Sequence, residues 1–150
     1  MVMPLVLSAV FKGSEAFPFT KVTVGITNDL ASKEDLTLHC KAKHDDRGEH
    51  TIKYGEYYTF KFTRNPIITV SLYYCSFRWQ SDQNLHFINI YSQRRDRCVG
   101  CGWIVKEGGP CAYDFDTKTY DICYGWIPSL EDALAASNVT NANSTIEFHV

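Results

Sequence analysis

Cysteines and histidines are the residues here whose types and spacing could do chemistry. Cys98-Val99-Gly100-Cys101 is the sharpest local pattern, and three uses of it compete. A structural zinc site wants a second close pair of ligands, whereas Cys111 and Cys123 have eleven residues between them. A redox pair wants its first cysteine at a helix N-terminus after a strand, which lowers the thiol pKa. The residues that follow, Gly102-Trp103-Ile104-Val105-Lys106, read as a strand instead. The reading adopted is therefore structural half-cystines for all six cysteines, Cys40, Cys75, Cys98, Cys101, Cys111 and Cys123, with no metal and no cofactor. Six cysteines allow fifteen pairings, and sequence alone does not choose among them. Such staples imply folding in an oxidising compartment.

His39 beside Cys40 invites a catalytic dyad, but neighbours on a strand point to opposite faces and cannot meet. Cys40 alternates with Leu36 and Leu38 and belongs inside, while His39 faces out with Lys41. The stretch His44-Asp45-Asp46-Arg47-Gly48-Glu49-His50 gathers imidazoles and carboxylates suited to acid–base work or a divalent cation. Its ordinary reading is a solvated connection between strands. Arg94-Arg95-Asp96-Arg97 is a basic cluster suited to an acidic partner, and also reads as an exposed loop before Cys98. Trp79, Trp103 and Trp126, with Tyr73, Tyr113, Tyr120 and Tyr124, could stack sugars, although aromatics at period two usually fill a core. Asn138 and Asn143 head two N-glycan acceptor sequences, Asn138-Val139-Thr140 and Asn143-Ser144-Thr145.

The elements that must position these groups show period two throughout. Val22, Val24 and Ile26 alternate with polar residues, as do Leu36 to Ala42 and Tyr58 to Phe62. In the run Thr69 to Trp79, one face carries Tyr73, Cys75, Phe77 and Trp79. Leu85 to Tyr91, Gly102 to Lys106, Cys111 to Phe115 and Thr119 to Trp126 complete the set. Turn residues separate them at Asn28-Asp29, Asp45 to Gly48, Tyr54-Gly55, Asn65-Pro66, Gly108-Gly109-Pro110 and Asp116 to Lys118. With no helical pattern between, these runs predict an all-β, antiparallel β-sandwich of about seven to eight strands, stapled by disulfides.

Residues 1–19 open with the apolar run MVMPLVLSAVF, which suits an atypical signal segment or an N-terminal extension. Residues 20–127 form the domain. Residues 128–150 are a C-terminal tail in which Ser129 caps one or two helical turns before a stretch rich in Ala, Ser, Asn and Thr.

Composition excludes several classes. The 150 residues are 45% hydrophobic and only 21% charged, too apolar for a disordered chain. Fifteen Lys and Arg against seventeen Asp and Glu give a net charge of −2, which argues against a nucleic-acid partner. No apolar run reaches the ~18 residues of a membrane-spanning helix, so no membrane insertion is expected.

Several segments, taken in order, are familiar together. Val22-Thr23-Val24 leads to Asn28-Asp29-Leu30 and Leu36-Thr37-Leu38-His39-Cys40-Lys41, then Asp45-Asp46-Arg47-Gly48 and Gly55-Glu56-Tyr57 before Phe60-Lys61-Phe62. Tyr74-Cys75-Ser76-Phe77-Arg78-Trp79, the strand Phe87 to Tyr91, Cys98 and Cys101 before Trp103, Gly109, and Tyr120 with Cys123-Tyr124 and Trp126 follow. Over residues 20 to 127 the chain resembles the plant self-incompatibility S-protein homologues. The resemblance implies a small secreted β-sandwich with disulfides and no catalytic activity. It also implies a role as an extracellular ligand in cell–cell signalling, recognised by a cell-surface receptor protein as in pollen–pistil self-incompatibility. Specificity would then lie in exposed loops, with His44, Asp45, Asp46, Arg47, Glu49, His50, Arg94, Arg95 and Arg97 as the candidates. The alternatives are a secreted hydrolase using the His44 to His50 stretch and a carbohydrate-binding or defence module using the aromatic faces.

Overall fold

A computed structural model describes residues 19–64 and 72–135. Nine strands follow in chain order: β1 (Thr20–Asn28), β2 (Leu36–Ala42), β3 (Asp45–Ile52), β4 (Tyr57–Arg64), β5 (Leu72–Trp79), β6 (Asp82–Ser92), β7 (Gly100–Lys106), β8 (Gly109–Asp114) and β9 (Thr119–Cys123). They form a five-stranded sheet in the order β4-β1-β7-β8-β9 and a four-stranded sheet in the order β3-β2-β5-β6. The all-β, disulfide-stapled sandwich read from the alternation is the observed architecture.

Alternation explains the layers. Val22, Val24 and Ile26 of β1, Leu36, Leu38 and Cys40 of β2, Tyr73, Cys75, Phe77 and Trp79 of β5, and Trp103 and Val105 of β7 are all buried between the sheets. Their polar neighbours face out. At roughly 25 cal/mol per Å² of apolar surface removed from water, this shared interior is the main stabilising term.

Two features depart from a plain reading of the runs. β1 and β7 pair in parallel, Val24 opposite Cys101 and Ile26 opposite Trp103, whereas every other strand pair is antiparallel. The reason is directional. β6 ends at the pole of the sandwich where β1 begins, so a strand crossing from it into the other sheet must run as β1 runs. We call this pole the lower end and the opposite one the upper end. In addition, Asp45 to Ile52 is a strand, so the stretch read as a solvated connection is an edge of the smaller sheet. Its charged side chains pair laterally instead of burying, which is how an edge avoids the apolar alternation that marks an inner strand.

A buried asparagine and two half-buried side chains hold the upper end. Asn28 is 1% exposed, and its side-chain amide donates to the carbonyls of Glu34 (2.8 Å) and Ile52 (3.1 Å) while its Oδ1 accepts from the Leu30 amide (3.1 Å). The Glu107 carboxylate accepts from the amides of Ala31 and Ser32 at 2.9 and 3.0 Å, tying the β7–β8 turn to the loop after β1. Trp126 donates to the Glu107 carbonyl (2.8 Å) and packs on Phe77, Trp79 and His86, and the Ile127 amide bonds the Phe87 carbonyl. Residues 124–127 thus cross from the larger sheet to the edge of the smaller one. A short helix at residues 130–135 follows, with the Asp132 amide on Ser129 Oγ as the cap chemistry predicts and Ala133 fully buried. Residues 1–18, Asn138 and Asn143, where a signal segment and the glycan acceptors were read, lie outside the described residues.

The same contacts set a pH window. Glu34 and Asp46 are held below the ordinary carboxylate values of 4.5 and 3.8, chiefly because the amides of Ser81 and Gly48 donate to them. Burial pushes the Glu107 carboxyl up, but the amides of Ala31 and Ser32 outweigh it and the net shift is down. A carboxyl with a lower value in the folded chain stabilises the fold above its unfolded value and loses that contribution as pH falls through the folded one. Burial, in contrast, raises the phenols of Tyr58, Tyr73 and Tyr91 above 10.0, so their contribution is intact below that pH and is lost as pH rises beyond it. Denaturation midpoints followed across pH are expected to form a plateau that falls at both ends, below about pH 4 and above about pH 10. Glu107→Gln is expected to flatten the acid limb and leave the alkaline limb unchanged.

Candidate recognition surface

β3 climbs away from the lower end and carries His50 to a place opposite Leu38 and against Tyr58, but the start of the first candidate segment and the whole of the second lie at the lower end. The β2–β3 turn, residues 43–44, sits there, and so does the connection from β6 to β7, residues 93–99. Tyr73 on β5 donates its hydroxyl to Asp45, and Arg64 at the end of β4 donates to the Tyr91 hydroxyl at 3.1 Å. The amide of Thr23 bonds the Val99 carbonyl at 2.8 Å. Side chains from both sheets therefore close this pole.

The structure divides the candidates into those that hold the fold and those that face outward. Arg47 pairs with Asp45 at 2.8 Å, donates to the Lys61 carbonyl at 2.7 Å, and lies over the rings of Phe60 and Tyr73 at 5.3 and 5.8 Å. It clamps β3 of one sheet to β4 of the other. His50 stacks on Tyr58 with centroids 4.2 Å apart, its Nε2 on the Arg47 carbonyl. Asp46 is engaged by His39 and by the Gly48 amide, and Glu49 by Arg78 at 2.8 Å. Gly48 takes a φ of 78°, a left-handed conformation that suits glycine. Arg95 lies over Trp103 and Tyr124 at 5.4 and 5.1 Å, donates to the Asn89 carbonyl and pairs with Asp96. These contacts were not legible in the sequence, where Arg47 and Arg95 look like loop charges.

Asp46, Glu49 and Arg95 are exposed while engaged in these contacts; His44, Arg94 and Arg97 are exposed too, and Lys21, Lys43 and Lys61 stand exposed at the lower end. The nearby acids are already occupied: Asp45 by Tyr73 and Arg47, Asp46 by His39, and Asp96 by Arg95 and the Ser92 amide. No ion pair joins Lys21, Lys43, Lys61 or Arg97 to any described carboxylate. The β8–β9 turn brings Asp114, Asp116 and Lys118 to this end as well, and among the described residues there the cations outnumber the acids, on a chain of net charge −2.

The cysteines form three bridges, Cys40–Cys75 between β2 and β5, Cys111–Cys123 between β8 and β9, and Cys98–Cys101 at the entry to β7. The strand register explains two of them, since Cys40 lies opposite Cys75 and Cys111 opposite Cys123. Among the described residues no group of three or more His, Cys, Asp or Glu is placed to hold a metal ion. No helix among them is long and apolar enough to cross a membrane. Of the aromatics read as a sugar platform, Trp79, Trp103 and Tyr73 are core, and only Tyr120 reaches 40% exposure.

Residues 23–126 match the plant self-incompatibility protein S1 family. S-protein homolog 2 of Arabidopsis thaliana is 39% identical over 124 residues, covering 78% of this chain and 75% of the relative. S-protein homolog 5 of the same plant is 36% identical over 73% of this chain and 81% of its own length. A solved structure described as one of the SPH (self-incompatibility protein homologue) proteins, "a widespread family of small, highly stable, secreted proteins from plants", overlaps 62% of this chain at 13% identity and a TM-score of 0.46. That overlap takes in 84% of the solved chain. A disulfide-stapled sandwich with this motif order defines the class, and the chain belongs to the plant self-incompatibility S1 family.

Proposed function

We propose that this chain is a secreted, non-catalytic protein ligand in plant cell–cell signalling, recognised by a membrane receptor through its lower pole. The observation that carries the reading is the pair of exposed cations Lys43 and Arg97, which no described carboxylate pairs, with the exposed side chains of His44 and Arg94 beside them on a two-sheet frame. Three disulfides support an extracellular setting, because such bridges persist where the surroundings are oxidising. Family membership supports the signalling role. The hydrolase alternative loses its supporting pattern, because His50 is stacked on Tyr58 and the carboxylates of Asp45, Asp46 and Glu49 are all engaged by other side chains.

A variant combining Lys43→Ala, His44→Ala, Arg94→Ala and Arg97→Ala tests the reading. Labelled protein is expected to bind intact responsive plant cells saturably, and this variant to lose at least about tenfold in affinity with its unfolding midpoint unchanged. Arg47→Ala and Arg95→Ala are expected to lower the unfolding free energy instead, by about 1–2 kcal/mol each, and the midpoint with it. Equal cell binding by the fourfold variant would remove the lower pole from recognition, and turnover of ester, glycan or RNA substrates would overturn the non-catalytic reading.

A further inference from the structure

The outward face of the five-stranded sheet adjoins the lower pole through Lys21 and Lys61, and none of the four residues replaced in the recognition variant belongs to its strands. Because Val22, Val24 and Ile26 point inward, Lys21, Thr23, Gly25 and Thr27 point out. The same alternation places Thr59 and Lys61 of β4 and Gly100, Gly102 and Ile104 of β7 on that face. Register then maps it. Gly25 lies beside Thr59 on one side and Gly102 on the other, and Thr23 lies between Lys61 and Gly100. The middle of the sheet is bare backbone flanked by threonine hydroxyls.

Glycine inside a strand often marks a bulge, a bend or a close approach by another group. At Gly102 that group is within the chain: an added Cβ would stand 3.2 Å from the Tyr120 hydroxyl. At Gly25 the described residues supply no such approach, for among them an added Cβ would meet only the Thr59 methyl, at an ordinary 3.6 Å. Beyond Gly102 the floor ends in a bank of rings. Tyr113 sits edge-on to Tyr120 at 5.1 Å and to Phe115 at 5.0 Å, and Tyr120 and Phe115 are 40% and 61% exposed. The other side of the sheet carries Lys61 on the edge strand β4 and Lys21 on its neighbour β1, and no described carboxylate pairs either. The acids nearest the rings, Asp114, Asp116 and Asp121, lie at the β8–β9 end, away from the lysines. Four interstrand gaps of about 4.8 Å make the face about 19 Å wide.

Apolar ring faces, hydroxyls and a flat floor suit the alternating C–H and O–H surfaces of a sugar chain, and the unpaired lysines add a preference for carboxylate. We propose that this face binds carboxylated, uronic-acid oligosaccharides, with sugar rings against Tyr120 and Phe115 and carboxylates directed to Lys21 and Lys61. The outer face of the smaller sheet lacks this character. It is crossed by the internal ion pairs of His39 with Asp46 and Arg78 with Glu49. An acidic peptide would satisfy the lysines and leave the rings and the bare floor without a role.

The disulfide-intact protein is titrated calorimetrically with an oligogalacturonate of about ten sugars, with its methyl ester, with a neutral glucan oligomer and with polyglutamate. Binding to the oligogalacturonate is expected, weakened at least about tenfold by esterification and by the double variant Lys21→Ser, Lys61→Ser. Tyr120→Ala is expected to weaken it with the lysines intact, and Lys53→Ser, at the upper end, to leave it unchanged. Gly25→Ala guards against misfolded variants: among the described residues its Cβ meets only the Thr59 methyl at an ordinary 3.6 Å, so its unfolding midpoint should hold while the raised floor lowers affinity. No binding to oligogalacturonate would overturn the proposal, as would equal affinity for the neutral glucan, or polyglutamate binding that depends on the lysines and ignores Tyr120 and Gly25.

Discussion

Gly109→Ala is expected to leave no folded protein, whereas Gly108→Ala, one residue earlier in the same turn, is expected to be tolerated. Gly109 opens β8 with a φ of 142°, a conformation L residues rarely adopt. The larger obstacle is steric. A Cβ there would stand 2.1 Å from the Tyr124 carbonyl oxygen and 3.2 Å from its carbon, both backbone atoms that no rotamer change can move. Tyr124 is also fixed, since its amide bonds the Pro110 carbonyl at 3.0 Å and its ring packs on Trp103 and under Arg95. Room could be made only by pulling residues 124–127 off the β7–β8 turn, which would also cost the Trp126 to Glu107 hydrogen bond. Combined backbone strain and lost packing of this kind exceed about 4 kcal/mol, a large share of the roughly 5–15 kcal/mol by which a domain is stable. Among the described residues a Cβ at Gly108 meets nothing within 4 Å. Soluble yield and circular dichroism of the two variants give the check. Equal folding would mean that the segment after β9 yields readily and does not close the sandwich.

How far the sequence reveals this molecule depends on where each residue finds its partner. The buried faces of β1, β2 and β5 were legible because one side of each strand meets the core, and burial leaves a period of two in Val22, Val24 and Ile26 or in Tyr73, Cys75, Phe77 and Trp79. β3 was not, because Asp46, Arg47, Glu49 and His50 find partners across strands and between sheets, through contacts no local pattern encodes. The parallel pairing of β1 with β7 joins residues more than seventy positions apart and follows from the direction in which β6 arrives, a property of the whole path. Arg95 illustrates the same limit at the candidate site. Beside Arg94 and Arg97 it looks like one more exposed cation, and only the fold brings Trp103 and Tyr124 beneath it. The local signals that did carry over were short-range ones: the Ser129 cap, the outward His39 and the inward Cys40.

Removing the three disulfides one at a time is expected to destabilise the protein in a fixed order. Each bridge acts mainly by restricting the unfolded chain, and the restriction grows with the length of the loop it closes. The separations are 35 residues for Cys40–Cys75, 12 for Cys111–Cys123 and 3 for Cys98–Cys101. Chain entropy alone then assigns them about 4, 3 and 1.5 kcal/mol. Location reinforces the order. Cys40 and Cys75 are fully buried on the two central strands of the smaller sheet, so the double variant Cys40→Ala, Cys75→Ala also thins the core between β2 and β5. Cys111–Cys123 ties down β9, an edge strand whose residues are all exposed and which has little else to hold it. Cys98–Cys101 bends the chain into β7, which is already paired on both sides by β1 and β8. Guanidinium unfolding of the three paired-alanine variants gives the measurement, with the slope fitted separately for each, because a longer free loop exposes more surface on unfolding. A loss for Cys98→Ala, Cys101→Ala as large as that for the Cys40–Cys75 pair would contradict the entropic account. The short bridge would then act on the folded chain, by setting the angle at which β7 enters beside β1.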